Sequence, residues 1–238
     1  MRKVVLDRFI SKYHLGGAVD IAQWVSDGST LSVACCDETN TLYAFVTTSD
    51  ITLPKGKFNI FETKQLRALL AVLGDEIKFN VRQTGGIALS FQLSDDAAKV
   101  SYALADASVI PTIPLIKNLP NPEVSLNLNK TFTDAFLRAR SALATAELFT
   151  VKSKGSVTEV VLGYEESNAT QVTITPEVNT ADDMNAVSFR SELLRDILTA
   201  NKDATSGTMT VSEKGIMHIS FVVESFSRID YYLLQQKK

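Results

Sequence analysis

From Val4 to Tyr13 the apolar residues Leu6, Phe9, Ile10 and Tyr13 recur at i, i+3, i+4 and i+7, the spacing that gathers them on one helical face, with Arg8 and Lys12 together on the opposite side. Gly16-Gly17 ends that helix. Asp20 to Val46 then reads as strands, with turns at Ser26-Asp27-Gly28 and Asp37 to Asn40. After a turn at Pro54-Lys55-Gly56 come a short strand, Phe58 to Phe61, and a second amphipathic helix, Thr63 to Leu73, burying Leu66, Leu69, Leu70 and Leu73. Gly74 stops it. Three strands follow, Glu76 to Arg82, Ile87 to Leu93 and Lys99 to Leu104, joined by Gly85-Gly86 and Ser94-Asp95-Asp96.

The same order then returns. Lys130 to Glu147 predicts an amphipathic helix with Phe132, Phe136, Ala139 and Leu143 on one face, and Phe149 to Pro176 reads as strands. Ser188 to Lys202 predicts a fourth helix, followed by strands at Thr208 to Ser212, Ile216 to Val223 and Arg228 to Leu234. The repetition holds residue by residue. Leu66-Arg67-Ala68-Leu69-Leu70 matches Leu194-Arg195-Asp196-Ile197-Leu198 at an offset of 128, and Val100 to Leu104 matches Ile229 to Leu233 at 129. Gly86-Ile87 matches Gly215-Ile216 at 129, Ser90-Phe91 matches Ser220-Phe221 at 130, and Asp7-x-Phe9-Ile10 matches Asp134-x-Phe136-Leu137 at 127. The chain is therefore two copies of one α+β domain, each with two helices packed on antiparallel sheets.

Between the copies, Ala107 to Pro122 holds four of the six prolines, Pro111, Pro114, Pro120 and Pro122. Proline removes a ladder donor and fixes φ, so this stretch is an extended connector rather than a central strand or a helix. The boundaries that follow are an N-terminal domain at 1–108, a connector at 109–122 and a C-terminal domain at 123–238. The connector also carries Val109, Ile110, Ile113, Leu115, Ile116 and Leu119, more apolar surface than a linker leaves in water, so it either packs on the domains or receives a partner.

Composition narrows the function classes. The chain is 45% hydrophobic and 21% charged, and no apolar run reaches the roughly 18 residues of a membrane span. The first residues interleave charge with apolar positions, unlike a signal peptide, which predicts a cytoplasmic protein. Cys35 and Cys36 are adjacent in a strand-like run and read as buried free thiols; with no second pair they do not complete a zinc site. No nucleophile motif or phosphate loop is present, and Asp95-Asp96, Glu165-Glu166 and Asp182-Asp183 sit in turn-like stretches, so neither an enzyme nor a metal or other cofactor is predicted. Asn168-Ala169-Thr170 fits a glycosylation sequon, which a protein without a secretion signal does not use.

Charge is unevenly divided. The net charge is −3, yet the four predicted helices carry +6 between them, leaving −9 for strands and loops. The cations are Arg2, Lys3, Arg8, Lys12, Lys64, Arg67, Lys130, Arg138, Arg140, Arg190 and Arg195, with Lys202 at the last helix end. Two readings stay open: ordinary solvated helix faces, or a positive lining that contacts phosphates without reading bases.

The duplicated domain, the Glu62 to Leu73 helix, and Lys99 to Pro120, where a tyrosine-bearing strand ends in Ala-Asp-Ala and enters a proline-rich connector, resemble the DNA polymerase sliding clamps, most closely those of T-even-type bacteriophages. The resemblance implies a closed ring of six similar domains, hence a homotrimer, with basic helices lining a hole around double-stranded DNA. It implies contacts between subunits through edge strands, for which Lys99 to Leu104, Val172 to Thr175 and Asn185 to Phe189 are the candidates. It also implies a DNA polymerase and a clamp loader as partners, docking in a pocket beside the connector. Val109, Ile110, Ile113, Leu115, Ile116, Tyr232 and Leu234 are the candidate lining, and the eleven helix cations from Arg2 to Arg195 the candidate DNA-facing set. Such clamps usually begin with a strand before the first helix, whereas only Met1 to Lys3 precede it here. A duplicated-domain viral scaffold that does not encircle DNA is the alternative.

Overall fold

The computed structural model describes residues 1–236 except 115, 117–118, 156 and 166–169. Leu115, Glu166 and the first two sequon residues, Asn168 and Ala169, thus lie outside the described residues. The chain divides into two compact units, residues 1–114 with 225–229, and residues 115–224 with 230–238.

In the first unit α1 (Lys3–His14) carries the predicted apolar face, with Leu6, Phe9, Ile10 and Tyr13 all fully buried. Leu15 ends it in the left-handed region at φ 48°, and Gly16 continues that turn at φ 68°. β1 (Ala22–Ser26), β2 (Leu31–Cys36), β3 (Leu42–Thr48) and β4 (Gly56–Ile60) form an antiparallel sheet in the order β4-β1-β2-β3, and β5 (Lys78–Thr84), β6 (Ile87–Ser94) and β7 (Lys99–Ala103) a second in sequence order. Residues 225–229 lie beside β3, where Ser225 O accepts from Ser49 N at 3.2 Å and from Thr48 Oγ1 at 2.9 Å. Aromatic rings fill the core: Trp24 meets Phe9 edge-on at 5.4 Å and stacks on Phe91 at 5.4 Å. The first turn of α2 (Thr63–Ala71) is held from outside the helix, because Asp20 accepts from Lys64 N at 2.8 Å through Oδ1 and from Thr63 N at 2.9 Å through its carbonyl. Residues 1–3 make only a single bridge, Arg2 to Glu76, flanked by Ile77 N on Met1 O and Lys3 N on Asp75 O.

The second unit repeats the plan with a full strand at that position. β8 (Val124–Asn127), which the sequence pattern did not reveal, precedes α3 (Lys130–Ala142) and alternates buried Val124 and Leu126 with half-buried neighbours. β9 (Leu148–Lys154), β10 (Val157–Leu162), β11 (Val172–Ile174) and β13 (Met184–Arg190) form a sheet in the order β11-β10-β9-β13, the same order as β3-β2-β1-β4. β12 (Val178–Ala181), β8, β14 (Ser206–Ser212), β15 (Ile216–Val222) and β16 (Phe226–Leu234) follow one another in the other sheet. The candidate edges Lys99 to Leu104, Val172 to Thr175 and Asn185 to Phe189 correspond to β7, β11 and β13, each outermost in its own sheet.

Two helix boundaries differ from the periodic pattern. α3 stops at Ala142 rather than Glu147, because the chain must turn into β9; Arg140 Nη1 donates to the carbonyls of Leu143 at 3.2 Å and Ala144 at 2.6 Å, satisfying acceptors that a longer helix would have used. α4 (Ser191–Ala200) starts three residues late, since Val187 and Phe189 are buried at strand spacing and extend β13 to Arg190. Asn129 caps α3 by accepting from Phe132 N at 2.8 Å. Asn129→Ala should lower unfolding stability by about 1 kcal/mol, read as a shift in the urea midpoint at unchanged slope.

Candidate nucleic-acid interface and partner groove

In each unit the two helices pack together, α1 with α2 and α3 with α4. On α2, Leu66 and Leu70 face the core, which leaves Lys64 and Arg67 exposed on the outer surface. On α3, Phe132 and Phe136 face inward, and Lys130, Asp134 and Arg138 form an outer row at four-residue spacing. The Lys130 ammonium sits 2.6 Å from Asp134 Oδ2. That hydrogen bond, with the charges of Lys130, Arg138 and Lys202, holds the Asp134 carboxyl below the usual carboxylate range. Exposed Lys202, just beyond α4, therefore belongs to this cationic surface. Arg2 is also exposed, and Arg67 and Arg138 make no ion pair among the described residues.

Several candidate cations have other work. Lys12 is 0% exposed, with its ammonium 5.7 Å from the Phe226 ring centroid, and Arg8 lies half-buried over the same ring at 5.1 Å. Lys12 is thereby removed from the exposed face by Phe226, more than two hundred positions away in the sequence. Lys3 Nζ donates to Leu73 O at 2.5 Å and completes the C-terminal end of α2. Arg140 is spent on the end of α3. Arg195 is paired with Asp196 at 2.8 Å and Glu192 at 3.0 Å, and Arg190, on β13 rather than in a helix, stands 4.0 Å from Glu192. The outward positive set is thus Arg2, Lys64, Arg67, Arg138 and Lys202, with Lys130 half neutralised by Asp134.

The connector forms a groove, but at its far end. Leu119, Pro120 and Pro122 lie against Thr210, Ser212, Ile216 and His218 of β14 and β15 and enclose about 270 Å³. The chain is fastened just beyond: Glu123 N donates to Val211 O at 3.1 Å, and Glu123 Oε2 accepts from Glu213 N at 2.7 Å. His218 is fixed by Asp230, Nε2 to Oδ1 2.9 Å, and stacks on Tyr232 with centroids 4.6 Å apart. Tyr232 therefore supports the groove from beneath, and half-buried Leu234 pairs across from Ile216. Val109, Ile110, Ile113 and Ile116 do not line this cavity; Val109 ends a short helical turn capped by Asp106 and is exposed, and the three isoleucines are half-buried. The residues of the connector that share this cavity with β14 and β15 are the later ones, Leu119, Pro120 and Pro122.

Cys35 and Cys36 are buried free thiols, and burial pushes both thiol pKa values up. Among the described residues no cluster of three or more His, Cys, Asp or Glu side chains is placed to hold a metal ion, and no helix is long and apolar enough to cross a membrane.

Two α+β units with one sheet order, each pairing two helices, define the sliding-clamp fold. Solved structures bear this out. Proliferating cellular nuclear antigen from Entamoeba histolytica matches with a TM-score of 0.75 at 12% identity, over 99% of this chain and 96% of that one. A. fulgidus PCNA, solved with the C-terminal region of FEN-1 bound, matches with a TM-score of 0.76 at 11% identity, over 100% of this chain and 97% of that one. No protein-family model and no curated protein matches the sequence.

Proposed function

We propose that the chain is a DNA sliding clamp: three copies close head to tail into a ring around duplex DNA and tether a polymerase to its template. The observation that carries this reading is an asymmetry between the repeats. In the first unit β3 has residues 225–229 of β16 beside it. The repeat of β3 is β11 and the repeat of β16 is β7, and both are outermost strands. β7 of one copy beside β11 of the next repeats the same join between molecules, and a contact of this head-to-tail kind closes when the rotation permits. With two units per chain, a pseudo-six-fold ring closes at three chains.

The exposed cations Lys64, Arg67, Arg138 and Lys202 supply the sequence-independent phosphate contact that lets such a ring slide. A tethered polymerase gains processivity from raised effective concentration, without chemistry in the clamp. The Leu119–Pro122 groove is its dock; that A. fulgidus PCNA takes the C-terminal region of FEN-1 supports reading it as a site for a partner's terminal segment. A clamp loader opens the ring. The resemblance of the sequence to T-even-type phage clamps supports reading this machinery as one that works in a host cytoplasm.

Replacing Lys64, Arg67, Arg138 and Lys202 together with Ala should weaken binding to random duplex at least about tenfold near 0.1 M salt and flatten its salt dependence, with the trimer intact. Lys12→Ala should leave DNA binding unchanged and cost about 1–2 kcal/mol of stability. Unaltered binding by the fourfold variant, measured by fluorescence anisotropy, would refute the helix-lining assignment.

A further inference from the structure

The floor of the groove at Leu119–Pro122 is graded from apolar to polar. Three cross-strand rows share the outward face of β14, β15 and β16: Ser212, Ile216 and Leu234, then Thr210, His218 and Tyr232, then Thr208, Ser220 and Asp230. They alternate with the buried rows Val211, Met217 and Leu233, and Met209, Ile219 and Tyr231. His218 reaches away from the apolar row, since its Nε2 meets Oδ1 of Asp230, on the side opposite Ile216, at 2.9 Å. The two nitrogens of an imidazole point in widely divergent directions, so Nδ1 is turned toward Ile216, where the connector closes the cavity. Tyr232 stacks on the ring at an interplanar angle of 14° and holds that orientation. A carboxylate only accepts, so Nε2 keeps the ring proton and the neutral ring offers Nδ1 as a lone pair. Among the described residues neither Nδ1 nor the Thr210 hydroxyl beside it has a hydrogen-bond partner, whereas Oγ of Ser212, buried, accepts from Lys214 N at 3.2 Å.

We propose that His218 Nδ1 is a hydrogen-bond acceptor built into the groove, and that the partner segment anchors there through an aromatic side chain carrying its own N–H or O–H, an indole or a phenol. This deepens, and rests on, the reading of the groove as the polymerase's dock. The cavity of about 270 Å³ has aliphatic and proline walls at Leu119, Pro120, Pro122 and Ile216, with the free acceptor at one end. An apolar ring with a polar tip matches both parts. A phenyl or aliphatic guest would shut Nδ1 away from water with nothing in return, and a site built around a hydrogen bond discriminates strongly against the guest that cannot make it. Asp230 is a positioning residue in this arrangement: it does not line the cavity, and it fixes which nitrogen carries the proton. All of these residues lie in the second unit.

Two pairs of probes test this by NMR on full-length chain with labelled histidine and Ile methyl groups, at about pH 8.5, above the ordinary imidazole range. One pair is N-acetyltryptophanamide and its analogue methylated on the indole nitrogen; the other is N-acetyltyrosinamide and its O-methyl ether. Before any probe is added, His218 should show Nε2 protonated and Nδ1 bare. Each parent should shift the Ile216 methyl saturably and move Nδ1, and each methylated analogue should bind about three- to tenfold more weakly, the worth of one hydrogen bond. His218→Phe, which keeps a ring to stack on Tyr232 and removes both nitrogens, should abolish the preference within each pair; a merely structural role for His218 would leave that ratio unchanged. The comparison in the unaltered chain needs no variant to fold. Analogues that bind Ile216 as tightly as their parents, or a proton found on Nδ1 in the free chain, would overturn the acceptor while leaving the groove a dock. Failure of both parents to reach Ile216 at about 10 mM would overturn the dock and the acceptor together.

Discussion

Ser101→Pro should convert the assembled particle to single chains while leaving each chain folded. Leu104 N donates to Leu89 O at 2.9 Å, so the alternation of an antiparallel ladder turns the amides of Ser101 and Ala103 away from β6 and toward the open edge of β7. A proline at 101 keeps the inner ladder and removes one outer donor, which an edge strand tolerates in the isolated chain. Across a joint with β11 of the next copy it strands a buried carbonyl, at a cost of about 1–3 kcal/mol. Three joints per ring make that about 3–9 kcal/mol, or about two to six powers of ten in the assembly constant. Ser101→Ala, which keeps the amide, should sediment as wild type. A Ser101→Pro chain that still sediments as three copies would show that β7 is not the joint.

Leu119→Asp combined with Ile216→Asp should abolish polymerase stimulation with the ring retained. A cavity of about 270 Å³ between the prolines and β14–β15 admits one or two apolar side chains. Residues that close such a site commonly cost 2 kcal/mol or more when disrupted, about thirtyfold in affinity, and a carboxylate facing an apolar guest adds its desolvation. Ile113→Asp, outside the cavity, provides the contrast: binding should persist. Loss of stimulation by Ile113→Asp with retention by the Leu119 and Ile216 pair would move the dock to the near end of the connector.

Much of this architecture was legible in residue order. The offsets of 127 to 130 between the halves appear in the structure as one sheet order used twice, and the apolar faces of α1, α2 and α3 are buried at Phe9, Leu66 and Phe136 as their spacing requires. β8 and β12 escaped because four-residue strands beside prolines or turns carry too few alternations to register. The cations were harder. Helical spacing puts Lys12 opposite the core face of α1, but whether that side meets water depends on Phe226, and no local pattern contains that information. Lys3 and Arg140 look like surface charges in sequence and act as helix-end donors in space. Lys202 ends the helix read from the sequence and lies two residues beyond the observed α4, and its influence on Asp134 is what ties it to the α3 row. The connector's apolar content did not say which of its residues would form a wall: Leu119, Pro120 and Pro122 share a cavity with β14 and β15, while Val109 is exposed.

The central claim is topological, and topology can be measured. Chains diluted to monomers, mixed with nicked circular duplex and then concentrated should trap the DNA as the rings close. Protein should stay on the circle through a wash in about 1 M salt, where phosphate contacts are screened, and leave as soon as a restriction enzyme linearises it. Release from circular and linear DNA alike in that wash, or equal retention on both, would contradict a ring that encircles its template.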